Sequence, residues 1–152
     1  MNGKVEAIYI APQGGVPMQK VKAVEAAANA GLCGDRYKER TGYWTGVDEC
    51  QVTLIEGENL DWIRANTDIQ VGSGEHRRNI VTRDVRLEEL QDRRFAIGAA
   101  VLEYDRPRPP CAYIQGLTQP GMTRALGGIR GGICARVVQS CTIREEDAIQ
   151  VL

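Results

Sequence analysis

The chain has 152 residues, 19 basic and 20 acidic side chains, and a formal net charge of −1 at pH 7. Its 43% hydrophobic and 26% charged content predicts one globular domain over residues 1–152, large enough to bury a core without disulfides. The balanced charge argues against nucleic acid and membrane surfaces as partners, since both attract a large positive excess.

Lys4–Ile10 alternates as a strand and ends in the turn Ala11-Pro-Gln-Gly-Gly15. Gln19–Ala30 is ambiguous: its Ala and Glu content favours a helix, and Val21 and Val24 suit a helical face. Gln51–Ile55 reads as a short strand and Glu56–Asn66 as an amphipathic helix, with acids early and Arg64 late to match its macrodipole. Arg77–Thr82 is a further strand, and Leu87–Leu90 a single helical turn. Arg94–Gly98 and Ala100–Asp105 pair around Gly98.

The prolines of Arg106-Pro-Arg-Pro-Pro-Cys111 then predict a stiff segment that cannot pair as a central strand. Ala112–Leu117 reads as a strand or extended loop, and Pro120–Leu126 as a short helix stopped by Gly127-Gly128. Gly131–Val138 reads as a central strand, Ile143–Asp147 as a polar turn and Ala148–Leu152 as the last strand. About seven short strands, one or two helices and 17 glycines favour a mostly antiparallel barrel or sandwich.

The five cysteines are odd in number and none are at C-x-x-C spacing, which disfavours a disulfide framework or structural zinc. With no leader-like start and no bilayer-length apolar run, a reducing cytoplasm is the expected compartment. Cys111 is the thiol that stands out. Placed after a stiff turn with guanidinium groups nearby, it suits a nucleophile, a sulfur carrier or a soft-metal ligand. The plainer alternative is a proline-rich loop followed by a buried cysteine that only packs.

The single histidine, His76, has no partner at a telling spacing and reads as a surface residue. Arg36, Arg77, Arg78, Arg83, Arg106, Arg108, Arg130 and Arg136 stand at loops or strand ends, where guanidinium forks bind phosphate or carboxylate. Gly127-Gly-Ile-Arg-Gly-Gly132 is the best candidate for an anion nest, although it matches no phosphate-loop motif. Asp35 suits a helix cap, a turn, or a carboxylate orienting an arginine.

Taken together, Gly34-Asp-Arg36, Arg78-Asn-Ile80, Phe95-Ala-Ile-Gly98, Pro110-Cys111, Gly131-Gly-Ile-Cys-Ala-Arg-Val137 and Asp147-Ala-Ile-Gln-Val151 resemble, in order and spacing, the MOSC domain. This domain is the C-terminal unit of molybdenum-cofactor sulfurases and also occurs as stand-alone bacterial proteins. The resemblance implies a closed, mostly β barrel of complex topology with a few short helices. It implies that Cys111 is the signature thiol, a molybdenum ligand in cofactor-binding relatives. Arg36, Arg78 and Asn79 would hold the pterin phosphate and polar edges of molybdopterin, with Arg130 and Arg136 as weaker candidates.

The chain would then be a component of a molybdenum-dependent oxidoreductase with a separate redox partner. Alternatively, it is a sulfur transferase that carries persulfide sulfur on Cys111 between a donor and an acceptor protein, or a non-catalytic barrel binding a small molecule or partner. Pyridoxal phosphate and its domain are not expected in this chain. Tyr37 stands where many relatives carry histidine, and Asp84, Cys141 and Glu146 where glycine is common.

Overall fold

The computed structural model describes residues 2–152. Its elements are β1 (Asn2–Ile10), β2 (Gln19–Val21), β3 (Ala23–Ala27), β4 (Gly31–Leu32), α1 (Arg36–Glu39), β5 (Val52–Glu56), α2 (Gly57–Asn66), β6 (Ile80–Arg83), β7 (Arg94–Ile97), β8 (Ala100–Pro107), α3 (Ala112–Leu117), α4 (Met122–Ala125), β9 (Ile133–Gln139), β10 (Cys141–Arg144) and β11 (Ala148–Val151). Single 3₁₀ turns lie at Leu87–Leu90 and Gly128–Gly131.

Seven strands close a barrel in the order β11-β7-β8-β9-β5-β6-β1, sealed by pairing of β1 with β11. The pairs are antiparallel except β5 with β6, which run parallel and are joined through α2. That crossover explains a feature of the sequence. In β1, β5 and β6, neighbouring residues alternate between two apolar environments, so both faces are buried and the strands read as near-continuous hydrophobic runs. Ile8, Leu54 and Ile80 fill the barrel with Phe95, Leu102 and Ile149. Their neighbours Tyr9, Ile55 and Val81 point outward under α2, α3 and α4, against Leu60, Ile63, Ile114 and Met122.

Four expectations from the sequence need correction. Gln19–Ala30 forms strands, not a helix: β3 buries Val24 and Ala26 and pairs with β10, whose residues lie far along the chain. Tertiary pairing overrides the helical bias of Ala and Glu there. Ala112–Leu117 is a helix, packed on the barrel through Ile114. The proline segment pairs further than expected, with Arg106 opposite Cys134 and Pro107 opposite Ile133; only Pro109 and Pro110 end the ladder. Ile143 lies buried in β10, so the polar turn shrinks to Glu145–Asp147.

Asp84 and Glu146 sit at φ +63° and +71°, in the left-handed region where glycine is least strained. Among the described residues, no helix is long and apolar enough to cross a membrane.

Candidate functional site

Cys111 lies at the mouth of a cleft formed by three separate segments. The first is its own loop, which leaves β8 stiffened by Pro109 and Pro110. The Arg108 amide donates to the Gly132 carbonyl at 2.9 Å, and a side chain at Gly131 would come within 2.6 Å of the Arg108 carbonyl. Glycine is needed there for close backbone approach. Cys111 is half-buried and caps α3 in extended conformation, and its carbonyl accepts from Thr123 Oγ1 at 3.0 Å.

The second segment is Asp35-Arg-Tyr37. Asp35 is fully buried; it caps a helix and orients an arginine, two of the roles its position suggested. Its Oδ2 caps α1 by accepting from the Tyr37 amide at 3.2 Å. Its Oδ1 accepts from the Ala11 amide at 3.1 Å and from Arg36 Nη1 at 2.9 Å. Arg36, so fixed, donates Nη2 to the Arg77 carbonyl at 3.1 Å and to the Tyr37 hydroxyl at 3.4 Å.

The third segment is His76-Arg-Arg-Asn79, which forms a loop before β6 rather than the start of the strand; Arg77 adopts φ +62°. Arg78 donates Nε to the Gly131 carbonyl at 2.7 Å and Nη2 to the Arg108 carbonyl at 3.2 Å, tying this loop to the cysteine loop. Complete burial holds its guanidinium below the usual arginine range, to about 10. Arg77 is 7% exposed and donates Nη1 to the Val16 carbonyl at 2.5 Å, while its buried Nη2 has no partner. Burial, then the charge of Arg36, lowers its affinity for its own proton.

The roof is aromatic. Tyr43 stacks on Tyr113 at 3.9 Å and 14°, and Trp44 meets Tyr43 edge-on. The cleft spans about 480 Å³, its open mouth included. Four guanidinium groups line it: Arg36, Arg77, Arg78 and Arg108. Asp35 answers Arg36, and Asp48 answers Arg108 while also pairing with Arg106. Among the described residues, Arg77 and Arg78 have no carboxylate partner, so the cleft is strongly attractive to an anion.

Of the residues singled out in the sequence, Cys111, Arg36 and Arg78 therefore meet in one place. Arg77 and Arg108 join them; adjacency to Arg78 and the Arg-Pro-Arg spacing were the signals that pointed to them. The other three stand elsewhere. Asn79 is enclosed in the barrel wall, its Oδ1 accepting from the Thr53 amide and hydroxyl and its Nδ2 donating to the Tyr9 carbonyl, so it clamps β6 to β5 and β1. Arg130 lies 4.3 Å over the Trp62 ring and donates to the Ala125 carbonyl, in a different groove. Arg136 is exposed on β9 and paired with Glu103 and Asp105.

The glycine run at 127–132 contributes close packing and the Gly131 carbonyl, which receives Arg78. His76 is a correction: it is fully buried, not on the surface. Its Nδ1 accepts from the Arg78 amide at 2.9 Å, its ring meets Tyr9 edge-on, and burial keeps it neutral with a pKa of about 3.

A family model for the MOSC domain matches residues 41–150. The chain belongs to the MOSC domain family. The family is associated with molybdenum cofactor. The match includes Arg77, Arg78, Arg108 and Cys111, while Arg36 and Tyr37 precede it. Solved MOSC-type neighbours share the fold over nearly the whole chain. YuaD from Bacillus subtilis superposes with a TM-score of 0.76 at 18% identity, covering 99% of this chain and 96% of that one. YiiM from Geobacillus stearothermophilus gives 0.73 at 13% identity over 99% and 75%. YiiM from Escherichia coli gives 0.67 at 12% over 98% and 69%. A comparison with curated proteins finds no matching sequence. At these identities the likeness of the MOSC neighbours speaks for fold alone.

Proposed function

We propose that this MOSC protein binds molybdenum cofactor in the Cys111 cleft, with the Cys111 thiolate as molybdenum ligand and the buried arginines on the pterin phosphate. The observation that carries this reading is the unpartnered Nη2 of Arg77, buried beside a half-buried thiol. A buried donor without an acceptor is costly and is relieved when an anionic oxygen enters. The donor set fits the group: a soft thiolate suits a thiophilic metal, and forked guanidinium groups suit phosphate.

The bound cofactor would supply two-electron redox chemistry. The chain's own residues do the rest. Pro109 and Pro110 restrict the loop before Cys111, so little conformational freedom is lost when the thiol engages a partner. Arg36 and Arg78 are fixed by Asp35 and by the Gly131 and Arg108 carbonyls, and so face an anion already oriented. The Tyr43–Tyr113 stack gives one side of the cleft an aromatic lining. On this reading the protein serves a molybdenum-dependent oxidoreductase together with a redox partner. A cytoplasmic setting suits its five free thiols.

Protein from a molybdate-fed, cofactor-competent host should carry molybdenum, and Cys111→Ser should lose most of it. Full molybdenum stoichiometry in that variant would sink the ligand role. Metal-free protein carrying a persulfide on Cys111 after treatment with inorganic polysulfide, whose sulfane sulfur transfers to the thiolate as an S–S bond of the polysulfide breaks, would favour the sulfur-carrier reading instead.

A further inference from the structure

Gly42, Tyr43 and Trp44 line the Cys111 cleft, and they belong to a strap, residues 42–49, held between two fixed ends. At one end the Thr41 amide donates to the Arg36 carbonyl at 3.0 Å and its hydroxyl to the Pro12 carbonyl at 2.7 Å. At the other, Cys50 is buried and leads into β5. In between, among the described residues, every hydrogen bond that a backbone amide donates stays inside the strap. No strand pairs with the segment, and Val47 is 78% exposed.

Side chains therefore fasten the middle of the strap. Tyr43 stacks on Tyr113, and the Glu49 carboxylate pairs with Arg40. Asp48 Oδ1 accepts from Arg106 Nη2 at 2.5 Å, and its Oδ2 accepts from Arg108 Nη1 at 3.1 Å. The Glu49 carbonyl accepts from the same Arg106 Nη2 at 3.1 Å. Among the described residues, Asp48 takes the only hydrogen bond that the Arg108 guanidinium makes.

The two partners in the Asp48–Arg108 pair differ in freedom. Arg108 is 8% exposed and held by its backbone, its amide on the Gly132 carbonyl and its carbonyl under Arg78 Nη2. The Asp48 side chain is 49% exposed, and Arg106 has Asp105 as a second carboxylate. An exposed carboxylate gives up such a contact at little net cost because water replaces it. An anion reaching Arg108 thus meets a donor that stays and a carboxylate that can leave.

Building on the anion reading of the cleft, we propose that Asp48 is a latch, released when a phosphate dianion takes Arg108 from it. The dianion carries more charge than a carboxylate and can engage Arg77 and Arg78 at the same time, which favours the exchange. The released strap carries Trp44, which with Tyr37 lines both the cleft and a neighbouring groove of about 790 Å³, its open mouth included. Seating of the anion then opens the groove to the cleft, so a second molecule gains access to Cys111 only afterwards.

The test uses the full chain carrying Trp62→Phe, which leaves Trp44 as the single tryptophan. Acrylamide quenching of Trp44 is followed while inorganic phosphate is added, and calorimetry measures the binding itself. Quenching should rise as phosphate saturates the protein. With Asp48→Asn added, quenching should already stand at the saturated level before phosphate and stay there. Phosphate should then bind roughly twofold to fivefold tighter, since the competing ion pair is gone. Equal Trp44 quenching in the two phosphate-free proteins would overturn the latch. So would calorimetric saturation of the parent with no change at Trp44, which leaves the anion reading standing. Absence of phosphate binding in both proteins would instead overturn the anion reading, and the trigger with it.

Discussion

Arg36 donates its Nη2 to the backbone carbonyl of Arg77 across 3.1 Å, so one guanidinium of the cleft positions the residue that carries the next. The two arginines nevertheless have opposite energetic characters. Arg36 neutralises a fully buried carboxylate, whereas Arg77 is a buried cation with a donor to spare.

Replacing Arg36 with Met should therefore destabilise the protein strongly. Asp35 would keep its two backbone donors but lose its counter-charge, at a cost of about 3–5 kcal/mol. Denaturant unfolding would show this as a lower midpoint with unchanged slope. A loss below about 1 kcal/mol would mean that the pair is solvated.

Arg77→Gln should behave differently. It removes an incompletely satisfied buried cation, so stability should change by less than about 1 kcal/mol. Anion affinity should suffer instead. Losing one charge-assisted donor corresponds to about 1.5–3 kcal/mol, roughly a tenfold to hundredfold weaker binding. Titration of inorganic phosphate or tungstate into the two proteins by calorimetry would measure it.

His76 makes stability depend on acid. Its folded pKa of about 3 lies below its unfolded value of about 6.5, so the unfolded state binds the proton first. Stability is fully present above about pH 6.5 and declines as pH falls towards 3. With about 1.4 kcal/mol for each unit of separation, the full loss is on the order of 4–5 kcal/mol. His76→Asn keeps an acceptor for the Arg78 amide but cannot titrate. It should be less stable at neutral pH through lost packing on Tyr9, with a flatter profile between pH 6.5 and 4. Thermal melts across that range compare the two.

Asn79 separates a structural role from a binding one. Asn79→Ala leaves the Thr53 amide and the Tyr9 carbonyl without partners inside the wall, at about 2–4 kcal/mol. Phosphate affinity of the folded fraction should stay within about twofold of the parent, since the side chain faces three strands. A tenfold loss would return Asn79 to the binding site.

Much of the barrel was readable because its strands carry local signals. Val52-Thr-Leu-Ile55 and the helix after it stand where the pattern puts them, since burial on both faces demands apolar residues at every position. Gln19–Ala30 was not readable, because the partner of β3 lies at Cys141–Arg144 and local composition does not register it. The same holds for α3, whose Tyr113 and Ile114 suit a strand as well as a helix until the aromatic roof and the outer core select the helix. His76 looked solvated because nothing near it in sequence shows that the Tyr9 side of the barrel will close over it.

What the sequence alone determined was the thiol at the end of a proline run, the supply of arginines at turns and the ordered motifs of the MOSC family. Tertiary structure decided which arginines matter. Barrel closure brings Arg36, the Arg77–Arg78 pair and Arg108 from three distant segments to one cleft, and sends Arg130 and Arg136 to other faces. The reason is electrostatic as well as geometric. A guanidinium on the surface is answered by water and by whichever carboxylate is near, as Arg136 is by Glu103 and Asp105. One enclosed by the fold must find its acceptors there, and at Arg77 the fold leaves a donor open to a ligand.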